Sequence, residues 1–315
     1  MSITPGYKSK RRFLQMALKR PEDTKGSDYI LNGATPSAIQ TKGLSVEPWI
    51  TETISRDLDD GKNGGQPIIH TGEMIKISGS VEITGSGSVN TPVAFAPVIA
   101  MGGYDSVTDV ATEVSHNRVL NAANELDGCC YFHWEGMYHI LLAGKATLTT
   151  SAKIGELAYL NFEMSGIYGG TVSGAIPAGD FSAYQMPVDV SQANTSFSLD
   201  GQLFNAVEFE MAQNNTIEYD EGTELKQIFI DDWVAEGKVI IEAPTLDTFD
   251  PFAVAGSNVL LPYEFTHGKA TANIFKQVST GVQILSVAPG EYKGKKMWEL
   301  GLREIRGHDS KLVTQ

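Results

Sequence analysis

The sequence predicts a mostly β protein with two tandem β-sandwich or β-barrel domains, each carrying one short helix. Three observations support this fold class. Apolar and polar residues alternate in several segments, turn pairs that contain glycine separate those segments, and similar segments occur twice along the 315 residues. We predict the first domain at residues 1–170 and the second at 196–315, joined by a linker at 171–195.

The two halves match at two places along the chain. The first match pairs segment 79–83 with 237–241 and segment 97–102 with 251–256. The second match pairs segment 160–167 with 298–305, at an offset of 138 residues (298 minus 160). A repeat of this length exceeds a solenoid or propeller unit, so it indicates two fused copies of one small domain.

Period-two alternation indicates strands with one wet face. In segment 75–83, apolar positions alternate with polar ones, and segments 160–164 and 207–211 alternate in the same way. Residues 13–18 fit either a first strand or part of a basic amphipathic helix, and we prefer the strand. The turn pairs Glu135-Gly136 and Asp200-Gly201 are typical of hairpins, so we expect antiparallel pairing.

One short helix is predicted in each copy, near residues 97–101 and 251–255. Proline stands at the start of each segment and glycine just after its end, which is the usual asymmetry of helix termini. We expect each helix to lie across the apolar face of its sheet. Residues 169–194 are mostly small and polar, with two prolines, and suit a linker that packs loosely.

Composition excludes several classes of protein. The chain has 38 acidic and 24 basic residues, so its net charge of −14 argues against tight nucleic-acid binding through phosphate neutralisation. It lacks an apolar run of about 20 residues and a signal-peptide core, so we expect no membrane partner and synthesis in a cytoplasm. The two adjacent cysteines, Cys129 and Cys130, are expected to be buried thiols.

Two long polar insertions follow equivalent strands, at 55–67 and 214–232. Loops of this length usually have a function, so we expect contacts with a neighbouring subunit. A disordered surface loop is the alternative. The residues predicted to make these contacts are Arg56, Asp57, Asp59, Asp60, Lys62, Asp220 and Glu221.

Enzymatic interpretations are weaker. His133, Glu135 and His139 could be drawn as metal ligands, but Glu135 stands where a hairpin turn is predicted. The adjacent carboxylates at 59–60 and 231–232 point apart, whereas glycoside cleavage needs two carboxylates at a set separation. We therefore predict no catalytic residue, no cofactor and no metal.

Taken in order along the chain, several segments resemble the tail tube (major tail) proteins of long-tailed bacteriophages. The resemblance covers most of the chain and is carried by residues 11–14, 38–39, 44–48, 53–58, 78–83, 94–97, 138–141, 145–148 and 160–166, with 240–245 and 249–251 in the second copy. It implies tail-tube-like domains whose sheets close side by side into a ring, with stacked rings forming a hollow tube in the virion tail. The loop contacts predicted above would then be contacts between rings.

The resemblance also implies partners. The chain would contact other copies of itself and other tail proteins, and would assemble in the host cytoplasm. Viral DNA would pass through the lumen without specific binding. Most of the family form a ring from six single-domain subunits, so the duplication implies a trimeric ring with pseudo-sixfold symmetry, and a hexamer is the alternative.

A lumen that lets DNA slide should present carboxylates and hydroxyls, because a basic lining would hold the polyanion. The wet faces of the predicted strands fit this requirement, although such residues can also simply keep an exposed face soluble. The residues predicted to face the lumen are Lys76, Ser78, Ser80, Glu82, Glu208, Glu210, Glu236, Lys238 and Glu242.

Two further functions stay open at this point. The chain could be another virion component, such as a tail terminator or a decoration protein. It could also be a carbohydrate-binding adhesin, which would be expected to cluster exposed aromatic residues. The tryptophans are instead scattered, at Trp49, Trp134, Trp233 and Trp298.

Overall fold

The computed structural model describes residues 10–56, 58–59, 64–109, 112–121 and 124–315. Over these residues the protein is mostly antiparallel β with two short helices, which confirms the predicted β class. The elements of the first half are β1 (Arg12–Leu18), β2 (Ser37–Ile39), β3 (Lys42–Ile54), β4 (Ile69–Glu82), α1 (Ala96–Met101), β5 (Tyr104–Asp109), β6 (Glu113–Arg118), β7 (Gly128–Trp134), β8 (Met137–Lys153) and β9 (Tyr159–Ser173).

The second half begins after residue 194 and contains the other helix. Its elements are β10 (Thr195–Leu199), β11 (Gln202–Phe204), β12 (Ala206–Ala212), β13 (Asn215–Glu221), β14 (Lys226–Trp233), β15 (Glu236–Glu242), α2 (Pro251–Ser257), β16 (Leu261–Ala270), β17 (Asn273–Tyr292), β18 (Lys295–Glu304) and β19 (Ser310–Thr314). Residues 13–18 are therefore strand, as preferred from the sequence. Neither described helix is long and apolar enough to cross a bilayer.

The strands of the two halves pair in the same order. In the first half the order is β2-β1-β7-β8-β9-β4-β3. In the second half it is β11-β10-β16-β17-β18-β15-β12. Each half adds a hairpin of its own, β5–β6 in the first and β13–β14 in the second. The chain thus builds one pattern of pairings twice.

The register shows how the halves correspond residue by residue. Ile77 pairs with Met164, and Gly237 pairs with Leu302. At the offset of 138 between β9 and β18, Met164 corresponds to Leu302, so Gly237 corresponds to Ile77. The sequence match that paired Gly79 with Gly237 is therefore shifted by two residues from the correspondence that the strand register gives. A shift of two keeps every side chain on its own face of the sheet.

Two strand pairings connect the halves. The second part of β8 pairs with β12, from Thr149 opposite Ala212 to Lys153 opposite Glu208. In addition, β6 of the first half pairs with β19 of the second. The main buried apolar cluster runs through both halves without interruption. Among the described residues these pairings do not close into a barrel.

The two helices differ in burial. Helix α1 buries four residues, Val98 to Met101, against the sheet as predicted. Helix α2 fully buries only Pro251, and its Phe252 is 50% exposed, but Val254 and Ala255 are partly buried against the main core, so α2 covers the apolar face less completely than α1. Its end also differs from the prediction, because Asn258 at φ 56° rather than Gly256 follows the last turn.

The segment between the halves packs more closely than its composition suggested. The Tyr184 hydroxyl accepts a hydrogen bond from the backbone N–H of Gln40 at 2.9 Å. Phe181 packs edge-on against Phe13, with ring centroids 5.9 Å apart, and Val190 is buried in the main core. The segment between the halves therefore packs against the surface of the first half.

Candidate functional site

Eight strands of the two halves form one continuous sheet in the order β3-β4-β9-β8-β12-β15-β18-β17. Directly opposed residues can be followed across all eight strands. One such row is Lys42, Ser80, Asn161, Thr149, Ala212, Glu236, Arg303 and Gln283. Since opposed residues of antiparallel strands share a face, the row defines one side of the sheet. We call this side the polar face.

The opposite side of the same sheet is the core. Alternate residues of the central strands are buried there, including Ile77, Leu160, Phe209, Val239 and Leu300. The alternation seen in the sequence thus has a simple cause, since one face packs and the other meets solvent. All nine residues predicted to face a lumen lie on the polar face, on β4, β12 and β15. That this face lines a channel stays a prediction.

Ion pairs hold several cations of the polar face. Lys238 Nζ lies 3.0 Å from a carboxylate oxygen of Glu208, and this hydrogen bond raises the pKa of Lys238. Lys295 Nζ lies 2.9 Å from Glu242 and lowers the pKa of that carboxyl. Arg303 Nε donates to Glu236 at 2.6 Å, and Lys76 is 3.4 Å from Glu163.

The remaining charge of the polar face is mostly acidic. Glu47 on β3, Glu82 on β4 and Glu299 on β18 add carboxylates to the same side of the sheet. Two further lysines lie there, Lys42, which donates to the Tyr159 hydroxyl at 2.8 Å, and Lys153, which lies 3.9 Å from Glu208. Because most of the cations are held by glutamates, the face offers a polyanion few cations to bind. It is hydrated without being basic.

Sequence reasoning missed part of this face. Asn161 and Glu163 were visible in the alternation of β9, but Thr147, Thr149 and Ser151 of β8 were not assigned to it. Thr150, which lies between Thr149 and Ser151 and points to the core, is polar although it is only 2% exposed. The alternation of apolar and polar residues in β8 is therefore weak. Cross-strand pairing reveals their position where alternation alone does not.

The eight-stranded sheet has an unpaired strand at each end. Strand β3 pairs only with β4, and residues 283–292 of β17 pair only with β18, within the part of the chain that the structure describes. Pro289 lies in this part of β17 and offers no N–H, which limits the pairing partners that the edge accepts. These two edges are the open borders of the sheet.

Two hairpin arms extend from one end of the sheet. Arm 1 consists of the outer parts of β3 and β4, residues 49–54 and 69–73, and leads to the first insertion. Arm 2 is the hairpin β13–β14. Of the residues predicted for subunit contacts, Arg56 and Asp59 are exposed beyond arm 1, and Asp220 and Glu221 are exposed at the tip of arm 2. Asp57, Asp60 and Lys62 lie outside the described residues.

Arm 2 is anchored to the first half. Arg118 donates to the side-chain oxygen of Asn215 at 2.6 Å, and its guanidinium lies 4.6 Å from the centroid of Trp233. Ile228 packs with Ala143 and Ile167 at the bend of β8 and β9. The arm is therefore held by polar and apolar contacts together.

The residues considered for metal binding have other partners. The ring nitrogen Nε2 of His133 lies 2.9 Å from Gln15, and Nδ1 of His139 lies 2.7 Å from Thr171. Glu135 forms an ion pair with Arg11 and stands in the predicted turn between β7 and β8. Burial lowers the pKa of His133 to about 4. Across the described ranges, His, Cys, Asp and Glu side chains form no group of three or more that could hold a metal.

Comparison of the chain with protein-family models and with curated proteins gave no match. Functional inference therefore depends on the geometry of the molecule. Its distinctive features are the polar face, the two unpaired edges and the two arms at one end.

Proposed function

We propose that the chain is a structural subunit of a phage-type tail tube. Copies join edge to edge into a ring whose polar face lines a channel for DNA, and rings stack into a tube. The observation that carries this proposal is the eight-stranded sheet, which has one polar face and two open edges that match the pairing already made inside the chain. The repeated order of pairings supports the two-domain organisation on which the ring depends.

The match between the edges follows from the correspondence of the halves. Strand β12 corresponds to β3, and the second part of β8 corresponds to residues 282–292 of β17. Since β8 pairs with β12 inside the chain, β17 of one copy can pair with β3 of the next in the same way. Thr149 stands opposite Ala212 inside the chain, so Ala288 would stand opposite Glu47 between copies. Pairing these two edges removes a surface that invites aggregation.

The width of the channel favours three copies in a ring. Three chains with eight strands each give 24 strands, and at about 4.8 Å a strand the circumference is about 115 Å, with a backbone diameter of about 37 Å. This width suits a DNA duplex surrounded by side chains and water. Six copies would double it and leave the duplex unguided. The trimeric ring with pseudo-sixfold symmetry is therefore preferred over the hexamer.

The chemistry of the polar face suits a conduit better than a binding site. Duplex DNA carries one negative charge per about 1.7 Å, and unpaired lysines along the wall would bind it at many points. Here Lys238 and Lys295 are already held by glutamates. The hydroxyl groups of Thr147, Thr149 and Ser151 on β8 lie between the charged side chains of β9 and those of β12. DNA would meet a hydrated wall that repels it weakly.

Electron microscopy of the purified full chain tests the proposal. We expect rings with six similar lobes, stacked into tubes with a central channel about 37 Å wide between backbones. Single closed rings that never stack would favour a tail terminator. Monomers at all concentrations would contradict the proposal.

A matched pair of substitutions tests the edge pairing itself. Ala288 is exposed and also stands opposite Glu299 of β18 within the chain, so urea unfolding of Ala288→Glu and Ala288→Lys first checks that the separate chains are equally stable. Opposite Glu47, the glutamate adds a like charge and the lysine an opposite charge, so we expect far fewer rings for Ala288→Glu and normal rings for Ala288→Lys. Added salt should partly restore ring formation in Ala288→Glu. Equal assembly of both variants would show that β17 does not pair with β3.

A further inference from the structure

A cavity of about 490 Å³ opens at one end of the second half, between the core and the surface. Its lining is mostly apolar and includes Phe197, Leu203, Phe204 and Val207. Leu203 is 72% exposed at the cavity, so no part of the described chain covers this side chain. A large exposed leucine beside an apolar cavity is typical of a docking site.

The corresponding opening of the first half is filled. Phe197 pairs with Phe204 as Leu14 pairs with Ile39, so Leu203 and Asn205 correspond to Ala38 and Gln40. The Tyr184 hydroxyl of the linker lies on that surface, accepting from the Gln40 N–H at 2.9 Å and donating to the Ala38 carbonyl at 3.4 Å. The same surface is therefore plugged by an aromatic side chain in one half and uncovered in the other.

An apolar tip lies at the opposite end of the molecule. Ile54 stands opposite Ile69 in arm 1, and Ile68 follows them at the mouth of the insertion. These three side chains are 54%, 52% and 51% exposed. Such a group of exposed aliphatic residues on a two-stranded arm has no partner within its own sheet.

The tip and the cavity of one chain cannot meet. Glu82, at the far end of β4 from Ile69, is aligned with Tyr159 and Ser151 beside the cavity wall. Thirteen residues of extended strand between Ile69 and Glu82 span about 43 Å. Any contact between tip and cavity is therefore between two copies, and it is directed along the strands.

We propose that the Ile54, Ile68 and Ile69 tip of one copy docks into the Leu203 cavity of a copy in the next ring. This inference rests on the proposed function and names the contact that stacks one ring on another. Because tip and cavity are different surfaces, the contact is heterologous and repeats without closing, as a growing tube requires. Charges around both surfaces are mixed, with Arg56 and Asp59 beyond the tip and Glu208 and Lys269 in the cavity lining, so the match is between apolar surfaces.

Cross-linking tests the contact directly. In a chain carrying Ile69→Cys and Leu203→Cys, oxidation should link successive copies and give a ladder of multimers on a non-reducing gel. The native Cys129 and Cys130 are free and buried, so they do not contribute. The control pair is Leu246→Cys with Leu203→Cys, because Leu246 follows β15 at the same end as the cavity. An equal ladder from both pairs, or none from the first, would overturn the proposal.

A charge in the cavity separates stacking from ring formation. Leu203→Asp should leave rings intact in electron micrographs and shorten tubes at least tenfold, whereas Leu246→Asp, at a residue that is 55% exposed, should give normal tubes. Tubes of normal length from Leu203→Asp would overturn the docking contact alone. Failure of the unsubstituted chain to form rings would overturn the proposed function as well.

Discussion

The first half of the chain buries surfaces that the second half leaves open, although both halves have the same order of strand pairings. Helix α1 is buried over Val98 to Met101, whereas α2 buries only Pro251. Tyr184 fills the opening beside β2, and the corresponding opening beside β11 remains a cavity. The difference lies in side chains and in connecting segments rather than in topology.

This contrast indicates which surfaces await partners. Where a surface of one half is covered by the chain itself, the corresponding surface of the other half shows which contact is missing. Strand β12 is paired by β8 inside the chain, whereas its counterpart β3 has an open edge. At these edges the contrast is reversed, because the open strand β3 belongs to the first half. In the proposed tube, neighbouring subunits supply the partners that each half lacks.

The largest expected difference concerns the two helices. Met101 is fully buried beside Cys130, so Met101→Ala should lower the free energy of unfolding by about 2 to 5 kcal/mol. Phe252 of α2 is half exposed and packs edge-on against Trp298 at 5.1 Å. Phe252→Ala should cost only about 1 kcal/mol. Urea unfolding of dissociated chains measures both values, and equal losses would show that burial does not distinguish the helices.

The linker plug should give an intermediate effect. Tyr184→Ala removes an aromatic side chain and two hydrogen bonds from the first half, so we expect a loss of about 1 to 3 kcal/mol. Tyr184→Phe keeps the ring and should cost about 1 kcal/mol. Leu203→Ala in the corresponding opening of the second half should change stability by less than about 0.5 kcal/mol. A loss at Leu203 as large as that at Tyr184 would mean that the second opening is already covered in the single chain.

Much of the sheet could be predicted from the sequence because its strands have one wet and one packed face. The alternation placed Ser78, Glu210 and Lys238 on wet faces, and the structure gathers them on one side. The turn at Glu135-Gly136 was also predicted from its residue types, and in the structure Gly136 adopts a positive φ of 90°, as such a turn requires. These are local signals that survive without knowledge of strand partners.

Other features depend on contacts between distant residues and left no local signal. Period-two patterns fit equally well after a shift of two residues, which is why Gly79 rather than Ile77 was matched to Gly237. Both helices have proline near the start, so the sequence alone did not show that only α1 would be buried. The pairing of β8 with β12 joins residues more than 50 positions apart in the sequence, and the residue pattern of neither strand indicates which strand it pairs with.

The smallest expected effect distinguishes the two junctions between the halves. Along β8–β12, Lys153 and Glu208 lie on the open polar face, whereas His116 of β6 is buried against β19 with Nε2 3.2 Å from the Thr314 hydroxyl. Burial lowers the pKa of His116 to about 4, from an ordinary value near 6.5. The unfolded chain therefore binds more protons between these values, and stability falls as pH drops through that window.

Between pH 7 and pH 5, His116 should account for a loss of about 1 to 2 kcal/mol in the free energy of unfolding. The measurement is urea unfolding at both pH values for the unsubstituted chain, for His116→Gln and for the control His308→Gln at an exposed position. We expect a smaller pH effect only in His116→Gln, because glutamine keeps a polar side chain but does not titrate. Other buried histidines, such as His133, are present in all three chains and cancel in the comparison. If all three chains lose the same stability, protonation of His116 does not weaken the β6–β19 junction, and the two junctions respond alike to acid.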